Sequence, residues 1–458
     1  MTAAPPTIAA VATPAGRGGV GIVRVSGSDL DGIVAGVVGR ALAPRAATVV
    51  TFRDAQGAPL DSGIALFFPA PHSYTGEAVL ELHGHGSPAA LRLVLARCVE
   101  LGARLAAPGE FTQRAFLNGK LDLAQAESVA DLIEASTTTA ARAAARSLTG
   151  AFSREVGALV DGLIDLRMFT EATLDFPEED IDFLHADNAS GKLETLRERV
   201  GTLLARAHTG ARLRDGLTVV LVGRPNVGKS SLMNRLVREE AAIVTAVPGT
   251  TRDTIERQIE LDGVPLHIVD TAGLRETSDE VERLGIDRTW AAVERADLAI
   301  VLVDARAADD ALDAADLALL ARLPAALPRI VVHNKLDLVG ANARIEKRGD
   351  AGGTRSRVWV SALTGDGLAL LERAMREHTG VETATEDAFL ARARHVAALR
   401  DAQSHLAAAS VHLGAQKPAL ELFAEELRSA QGALCTITGA FSADDLLGEI
   451  FSRFCIGK

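Results

Sequence analysis

The sequence predicts a protein of mixed α/β and α class, with an N-terminal α/β region, a helical region and a second α/β region that has a mostly parallel sheet. Three observations predict it. Short apolar runs bounded by glycine and proline come first, long Ala-, Leu- and Glu-rich runs begin near residue 121, and β-rich runs alternate with helical ones from residue 216 onward. Such alternation is typical of a doubly wound parallel sheet.

The composition is that of a globular protein with several domains. The chain has 458 residues, of which 48% are hydrophobic and 24% charged, and its formal net charge is −12. At roughly 150 residues per domain, this length suggests three domains. The acidity argues against a protein that coats nucleic acid or an anionic membrane through its bulk charge.

The start of the chain and its cysteines indicate a cytoplasmic location. The first residues lack the basic start and apolar run of a signal peptide, and the sequence has no apolar run long enough to span a membrane. Cys98, Cys435 and Cys455 are too few and too scattered for a disulfide framework. We therefore expect a cytoplasmic protein with no membrane partner.

The local pattern of apolar residues and the positions of Gly and Pro predict individual strands and helices. Predicted strands cover residues 18–26, 64–68, 78–82, 217–222, 266–269, 298–303, 330–332 and 358–360. Predicted helical stretches cover residues 88–101, 122–149, 153–173, 192–213, 392–413 and 419–432. The acidic run 175–182 is interpreted as a solvated loop, and the weakly patterned segment 340–357 as a variable surface loop. The pattern fits one helical region interrupted by an inserted domain, and equally two separate helical domains.

A phosphate-binding loop stands between a predicted strand and a predicted helix. Residues 223–230 read GRPNVGKS, the Walker A pattern in its required context. Its glycines let backbone N–H groups surround the phosphates, and the helix N-terminus adds positive potential. Lys229 is expected to reach the β- and γ-phosphates, and the Ser230 hydroxyl to ligate Mg²⁺.

Four further segments narrow the nucleotide to GTP. In TTRD at 250–253, Thr251 can offer its hydroxyl to Mg²⁺; in DTAG at 270–273, Asp270 can hold the Mg²⁺ shell and the Gly273 N–H can read the γ-phosphate. In NKLD at 334–337 the carboxylate of Asp337 can accept from guanine, and SAL at 361–363 suits a backbone contact to the guanine oxygen O6. The predicted GTP-binding residues are Asn226, Val227, Gly228, Lys229, Ser230, Ser231, Thr245, Ala246, Val247, Pro248, Gly249, Thr250, Thr251, Asp270, Thr271, Ala272, Gly273, Asn334, Lys335, Asp337, Ser361, Ala362 and Leu363.

The catalytic glutamine of Ras-like GTPases is missing. The residue after the glycine of DTAG is Leu274, which cannot orient a water. Hydrolysis is therefore either slow or helped by a substitute catalyst. Local candidates are Arg252, Arg275 and Glu282.

With these motifs in place, the chain resembles the tRNA modification GTPase MnmE (TrmE) family over nearly its whole length. The specific segments are TPAGRGGVGIVRVSG, PGEFTQRAFLNGKLDLAQAES and the terminal DDLLGEIFSRFCIGK. The resemblance implies an N-terminal tetrahydrofolate-binding-like dimerisation domain at 1–120. It further implies a discontinuous helical domain at 121–215 and 381–458, and an inserted Ras-like G domain at 216–380, so it favours the insertion.

The resemblance also implies function and partners. With the FAD-dependent flavoprotein MnmG (GidA), members of the family place an aminomethyl-type group, such as a (carboxymethyl)aminomethyl group, on C5 of the wobble uridine of tRNA. A 5-formyl-tetrahydrofolate-type compound is the one-carbon source. Arg24, Glu81, Lys120 and the terminal Lys458 match folate-site positions, since cations suit a glutamate tail and a carboxylate suits the N–H edge of a pterin. Cys455 matches the signature cysteine, whose role stays open between a catalytic thiol and a structural one.

The missing glutamine has an explanation in the family. Its G domains dimerise in a potassium-dependent way, and K⁺ replaces an arginine finger. Asn226 matches the potassium ligand of the phosphate loop, Thr245, Val247 and Thr250 match the rest of the K⁺ shell, and Glu282 matches the glutamate that orients water.

Two other functions and one metal site are weighed against this interpretation. The first is a ribosome-assembly or regulatory GTPase, and the second a folate-dependent one-carbon transferase in which GTP only regulates. His83 and His85, in HGHG, suggest a metal site, but without evident acidic or Cys partners a structural loop is favoured.

Overall fold

We describe a computed structural model of the chain, covering residues 5–175, 189–239, 256–270, 293–306, 314–350, 353–379, 388–415, 417–440, 444–452, 454 and 457. Contacts divide the chain into two compact units. The first unit comprises residues 1–130, 146–200 and 398–458, and the second comprises residues 131–145 and 201–397. The acidic segment interpreted as a solvated loop lies outside the described residues beyond position 175.

The first unit contains a six-stranded sheet in the order β3-β4-β5-β2-β1-β6. Its strands are β1 (Ile8–Val11), β2 (Gly18–Gly27), β3 (Thr48–Arg53), β4 (Pro59–Phe68), β5 (Ala78–Gly86) and β6 (Arg104–Leu105). Helices α1 (Asp31–Val38) and α2 (Pro88–Glu100) cover one face with an apolar core that includes Val23, Leu80 and Val94. Strand side chains alternate between faces, so Arg24 and Glu81 lie on the opposite face.

Helices complete this unit. They are α3 (Glu110–Leu117), α4 (Leu123–Glu134), α5 (Thr138–Leu148), α6 (Ala151–Asp175), α7 (Ala189–Asp215), α11 (Ala393–Leu413), α12 (Leu420–Thr438) and α13 (Asp444–Ser452), of which α4, α5, α7 and α11 extend into the second unit. Helix α6 buries a stripe at helical spacing and packs against α12, and Arg167 Nη1 donates to Gln431 Oε1 at 2.6 Å. Helices that precede and follow the second sheet in the sequence, α6 and α12, therefore pack against each other.

The second unit is built on a seven-stranded sheet in the order β12-β13-β11-β10-β7-β9-β8. Its strands are β7 (Leu217–Gly223), β8 (Glu256–Leu261), β9 (Val264–Asp270), β10 (Leu298–Asp304), β11 (Arg329–Asn334), β12 (Arg344–Asp350) and β13 (Gly353–Trp359). Its helices are α8 (Lys229–Glu239), α9 (Ala314–Ala321) and α10 (Leu368–Thr379). The five central strands are parallel, while β8 and β12 pair antiparallel at the edges. The predicted mostly parallel sheet is confirmed.

The prediction of a surface loop at residues 340–357 is wrong. This segment contains β12 and most of β13, which form an antiparallel hairpin. The strand was missed because its apolar pattern is weak: Ile345 is partly buried against the core, while Glu346 and Lys347 are exposed. Arg344 stacks on Trp359, with its guanidinium carbon 3.7 Å from the ring centroid.

Two further differences between prediction and structure concern where a helix is interrupted and where a strand ends. The helical stretch predicted at 122–149 is two helices, because Thr137 Oγ1 accepts from the Ala140 N–H at 3.0 Å and caps the start of α5. His83 and His85 lie in strand β5 rather than in a loop. Strands β1, β3, β6, β8 and β12 were not predicted.

Candidate functional site

The phosphate loop of the second unit follows β7, one of the five parallel strands of the sheet. Residues 223–230 connect β7 to α8, with β9 on one side of β7 and β10 on the other. Strand order reverses at this point, which is where open α/β sheets bind ligands. The predicted strand–loop–helix context of the Walker A pattern is therefore confirmed.

Gly228 cannot carry a side chain in this loop. Its φ of +100° is in the region that favours glycine, and a Cβ there would lie 2.2 Å from Asn334 Nδ2. Asn226 has a φ of 63° and is exposed at the turn of the loop. The exposed amide of Asn226 could reach a ligand, while the backbone of Gly228 approaches the guanine-reading motif.

Lys229 is buried at the start of α8 with its ammonium turned over the loop. Nζ donates to the carbonyl oxygens of Gly223 at 2.7 Å and Arg224 at 3.0 Å. These bonds place a positive charge beside the N-terminus of α8, where the helix dipole also favours an anion. The arrangement can hold a polyphosphate.

Asn334 joins three loops of the second unit. Its Nδ2 donates to the Val227 carbonyl at 2.8 Å, and its Oδ1 accepts from the Ala362 N–H at 3.0 Å. Asn334 is 2% exposed, so both bonds are buried. The side chain therefore fixes the phosphate loop against the NKLD and SAL motifs.

Lys335 and Asp337 directly follow β11, at the edge of the sheet formed by the carboxyl ends of the parallel strands. Lys335 has a φ of 70° and its Nζ donates to Asp304 Oδ2 at 2.8 Å. Hydrogen bonds from Arg306, and then from Lys335, hold the pKa of Asp304 well below its usual range. Asp337 Oδ1 accepts from Ser361 Oγ at 2.6 Å, which orients the carboxylate that is predicted to read guanine. Leu363 is 76% exposed.

Two residues predicted to act at the Mg²⁺ site, Ser230 and Asp270, have described positions. Ser230 opens α8 next to Lys229, and Asp270 ends β9 directly across from Leu221 of β7. A serine at the start of a helix and an aspartate at the end of a strand are residue types that supply the oxygen ligands Mg²⁺ prefers, and the side-chain carbonyl oxygen of Asn226 suits K⁺. Among the described residues no group of three or more His, Cys, Asp or Glu side chains could hold a metal ion.

Several predicted site residues lie outside the described residues, so their placement stays a prediction. They are Thr245, Ala246, Val247, Pro248, Gly249, Thr250, Thr251, Arg252, Thr271, Ala272, Gly273, Leu274, Arg275, Glu282, Cys455 and Lys458.

The first unit brings three of the four predicted folate residues to one face of the sheet or to its neighbouring loop. Arg24 and Glu81 are cross-strand partners on β2 and β5, and Arg24 Nε donates to Glu81 Oε1 at 2.9 Å. The Arg24 guanidinium lies 5.3 Å from the ring centroid of Tyr74. Lys120 Nζ donates to the Pro71 carbonyl at 3.2 Å, in the loop that carries Tyr74.

This donor set fits a pterin. Glu81 is a partly exposed carboxylate that accepts only, which matches the N–H edge of the ring system, and Tyr74 adds an aromatic surface. Cations at this site were expected to suit a glutamate tail; in the structure the Arg24 guanidinium pairs with Glu81. Tyr74 was not singled out at all; only its position in a loop packed over Arg24 reveals it.

The C-terminal tail reaches the same sheet. A Cβ on Gly457 would lie 2.3 Å from the carbonyl oxygen of Val11, so the glycine of the terminal motif packs against β1. Val11 pairs with Val23, the neighbour of Arg24. The residue that precedes Lys458 therefore lies beside the strand next to β2.

A buried polar network lies on the same side of the sheet as Arg24, because Ser26 is two positions further along β2. Arg114 is 6% exposed and donates to Glu77 Oε2 at 2.8 Å and to Glu110 Oε1 at 2.9 Å. Ser26 Oγ donates to Glu77 Oε2 at 2.8 Å. Burial disfavours ionisation of Glu110, but hydrogen bonds from Arg104, the Ala107 N–H and Arg114 outweigh it and lower its pKa to about 2. The network ties the start of α3 to the loop before β5.

The described cysteines are not reactive thiols. Cys98 is fully buried in the core under α2, and burial raises its pKa to about 12. Burial also raises the pKa of Cys435. In the described part of the chain, no helix is long and apolar enough to cross a membrane.

Comparison with known proteins matches the chain over its whole length. A family model for the MnmE helical domain matches residues 123–455, and one for the GTP-binding protein TrmE N-terminus matches residues 7–120. The tRNA modification GTPase MnmE of Azoarcus sp. (strain BH72) is 58% identical over 454 residues, 99% of this chain and 98% of that protein. The protein of the same name from Ralstonia nicotianae (strain ATCC BAA-1114 / GMI1000) is 57% identical over 462 residues, 98% of this chain and 96% of that protein.

A solved structure is also similar over part of the chain. The G domain of the T. maritima FeoB iron transporter is 26% identical and covers 35% of this chain and 98% of that chain, with a TM-score of 0.25. That score is too low for the likeness to support a conclusion about this chain.

Proposed function

The chain belongs to the tRNA modification GTPase MnmE (TrmE) family, and we propose that it is the potassium-dependent, GTP-hydrolysing component of a complex that modifies wobble uridine. The group added at uridine C5 is a (carboxymethyl)aminomethyl group. The partner is the FAD-dependent flavoprotein MnmG (GidA), and a 5-formyl-tetrahydrofolate-type compound supplies the one-carbon unit. The active form is a cytoplasmic homodimer.

One observation carries the nucleotide part of the proposal. Asn334 holds Val227 of the phosphate loop and Ala362 of the SAL motif through two buried hydrogen bonds. A base-reading edge and a phosphate-reading loop are thereby held at the carboxyl ends of parallel strands. The family relationship carries the tRNA part, because the relatives match nearly the full length of the chain.

We assign the hydrolytic roles to residues of the G domain. Lys229 stabilises charge on the phosphates, Ser230 and Thr251 ligate Mg²⁺, and Asp270 holds its outer shell. Asn226 ligates K⁺ together with Thr245, Val247 and Thr250. Glu282 orients the attacking water, which Leu274 cannot do. The remaining predicted residues surround the nucleotide.

The proposed domain organisation follows the same family. Residues 1–120 form the folate-binding dimerisation domain, with Arg24, Glu81, Lys120 and Lys458 at the folate. Residues 121–215 and 381–458 form the helical domain, and 216–380 the inserted G domain. The packing of α6 against α12 supports a helical domain built from both sides of the insertion. Cys455 has no assigned role.

Potassium dependence is tested by the rate of GTP hydrolysis in KCl and in NaCl at equal ionic strength. We expect faster hydrolysis in KCl, and loss of that advantage in Asn226→Ala. Glu282→Ala is expected to slow hydrolysis in both salts without weakening GTP binding. Asn342→Ala changes an exposed asparagine of the same unit and serves as the matched control. Equal wild-type rates in the two salts would contradict the potassium mechanism.

The tRNA role is tested by nucleoside analysis of wobble uridine in a strain that lacks this protein. We expect the modified uridine to disappear, to return with the wild-type gene, and not to return with Lys229→Ala. Unchanged uridine together with tight binding to ribosomal subunits would instead support a ribosome-assembly GTPase. Modification that proceeds without any GTP hydrolysis would support a folate-dependent transferase regulated by GTP.

A further inference from the structure

His83 lies beside Glu81 on the face of the N-terminal sheet that carries the folate residues. The two side chains are two positions apart on β5, so they point to the same side of the sheet. His83 pairs across the sheet with Ile22 of β2, and Glu81 pairs with Arg24. Arg24, Glu81 and His83 therefore form one continuous patch.

Both oxygens of the Glu81 carboxylate are held. Arg24 contacts Oε1 from Nε and from Nη2, each at 2.9 Å, while His83 Nε2 lies 3.1 Å from Oε2. A carboxylate only accepts hydrogen bonds, so Nε2 must carry the proton in this contact. Oε2, which His83 alone contacts among these side chains, keeps a second lone pair for a further donor.

The side-chain exposures indicate a supported site. Glu81 is 16% exposed and His83 24% exposed, so both are largely covered yet reachable from solvent. A glutamate side chain has three rotatable torsions, and its ordering costs conformational entropy unless neighbours fix it in advance. Arg24 is itself placed between the rings of Tyr74 and Phe111, at 5.3 and 5.8 Å from their centroids.

We propose that His83 is a positioning residue for folate: by holding Oε2 of Glu81 while Arg24 holds Oε1, it sets the plane in which the carboxylate meets the N–H edge of the pterin. The inference rests on the proposed role of Glu81 in the folate site. His83 itself need not touch the folate. This positioning role of His83 replaces the interpretation of HGHG as a metal site.

The second histidine of the motif has a different partner. His85 Nδ1 lies 2.7 Å from Asp61 Oδ1, and the His85 N–H donates to Asp61 Oδ2 at 2.8 Å. The His85 side chain is 72% exposed. It ties β5 to the neighbouring strand without contacting Glu81, so it provides a matched control two residues away.

The test is calorimetric titration of 5-formyltetrahydrofolate into the full-length protein. His83→Asn cannot place a donor where Nε2 lies, whereas the side-chain amide of His83→Gln can. We expect about tenfold or greater weakening of folate binding in His83→Asn and near wild-type affinity in His83→Gln. His85→Asn is expected to bind folate normally. The affinity of each variant for GDP, measured in parallel, verifies that the chain is folded.

The outcomes separate this inference from the function on which it rests. Glu81→Ala is titrated alongside. If Glu81→Ala binds folate as tightly as the wild type, the proposed folate role of Glu81 is wrong and the role of His83 falls with it. If Glu81→Ala weakens binding but His83→Asn does not, only the positioning role is overturned. Equal weakening in His83→Asn and His83→Gln would also overturn it, since the histidine would then act by shape alone.

Discussion

Asn334 Nδ2 donates to the main-chain carbonyl oxygen of Val227 at 2.8 Å, across 107 positions of sequence. Val227 lies within the phosphate loop, and Asn334 ends β11, two strands away from β7. The bond therefore couples the loop expected to hold phosphates to the motif expected to read the base. Both motifs are recognisable in the sequence, but their connection is a property of the fold.

Replacement of Asn334 by alanine removes this connection. Both the Val227 carbonyl and the Ala362 N–H would then lose a buried partner, and each such loss costs about 1–3 kcal/mol. We expect Asn334→Ala to bind GDP about tenfold or more weakly, measured by titration with a fluorescent nucleotide. The exposed Asn342→Ala is the control. Unchanged affinity in Asn334→Ala would show that the loop holds its shape without the bond.

Substitution of Gly228 tests the close approach of its backbone to Asn334 separately from the strain of a positive φ. A Cβ at Gly228 would collide with Asn334 Nδ2, whereas Gly340 also has a positive φ but has nothing within 4 Å of its Cβ position. Both alanine variants carry a strain of about 1 kcal/mol or more. We expect a large loss of nucleotide affinity in Gly228→Ala and affinity within about twofold of wild type in Gly340→Ala. Similar losses in both variants would mean that strain, not the collision, decides.

A buried carboxylate in the second unit is expected to stabilise its helices. Asp131 Oδ1 accepts from Arg214 Nε at 2.8 Å and from Arg392 Nη2 at 2.6 Å. Asp131→Ala leaves two largely covered guanidinium groups without this acceptor, and we expect a loss of about 3 kcal/mol in the free energy of unfolding. The measurement is the urea midpoint followed by circular dichroism.

Asp215 supplies the control for Asp131. It also pairs with Arg214, but its side chain is 53% exposed. Exposed pairs contribute about 0–1 kcal/mol, so Asp215→Ala is expected to shift the midpoint little. If the two variants were equally stable, burial of the Asp131 pair would contribute nothing measurable.

The lowered pKa of Glu110 predicts that the stability of the first unit falls at acidic pH. Its pKa is lowered from 4.5 to about 2 in the folded chain. A lowered pKa means that the carboxylate stabilises the fold above about pH 4.5 and that this contribution is lost as the pH falls through about 2. We expect Glu110→Gln to cost about 2–3 kcal/mol at pH 7 and progressively less below pH 4.5.

The comparison for Glu110 is made from urea midpoints between pH 7 and pH 2. Glu100→Gln is the control, because Glu100 is 60% exposed in its pair with Arg97. That variant is expected to follow the wild type at every pH. A gap between wild type and Glu110→Gln that stays constant as the pH falls would contradict a role for the charge.

Local sequence pattern was sufficient for the elements whose buried face is repeated along the strand or helix. The central strands β7, β9, β10 and β11 were predicted, because strands buried on both faces are nearly continuous apolar runs. Only the last two residues of β13, Val358 and Trp359, lie in a predicted strand. The edge strand β12 was missed, since its sequence RIEKRGD has a single apolar side chain, Ile345. The break between α4 and α5 was missed as well, because the Ala-rich helical pattern continues on both sides of the run STTT at 136–139, in which Thr137 is the cap.

The same distinction applies to the two candidate sites. The Walker A loop could be predicted because its residues are consecutive and its geometry follows from glycine and a helix start. The Arg24–Glu81 ion pair joins residues 57 positions apart, so it depends on the pairing of β2 with β5 and not on local pattern. His83 drew notice only as a possible metal ligand, because the predicted strand ended at residue 82; its contact with Glu81 requires that β5 continue to Gly86 and place both side chains on one face.

The sequence by itself determined the nucleotide motifs and the family, since each depends on residue type at short spacing. The tertiary structure decided which polar groups are already engaged. Asn334 binds the phosphate loop, Arg24 and His83 hold Glu81, and Asp131 holds two arginines. Sheet register and helix packing bring these groups together from distant positions, and a buried polar group must find a partner wherever the fold places one.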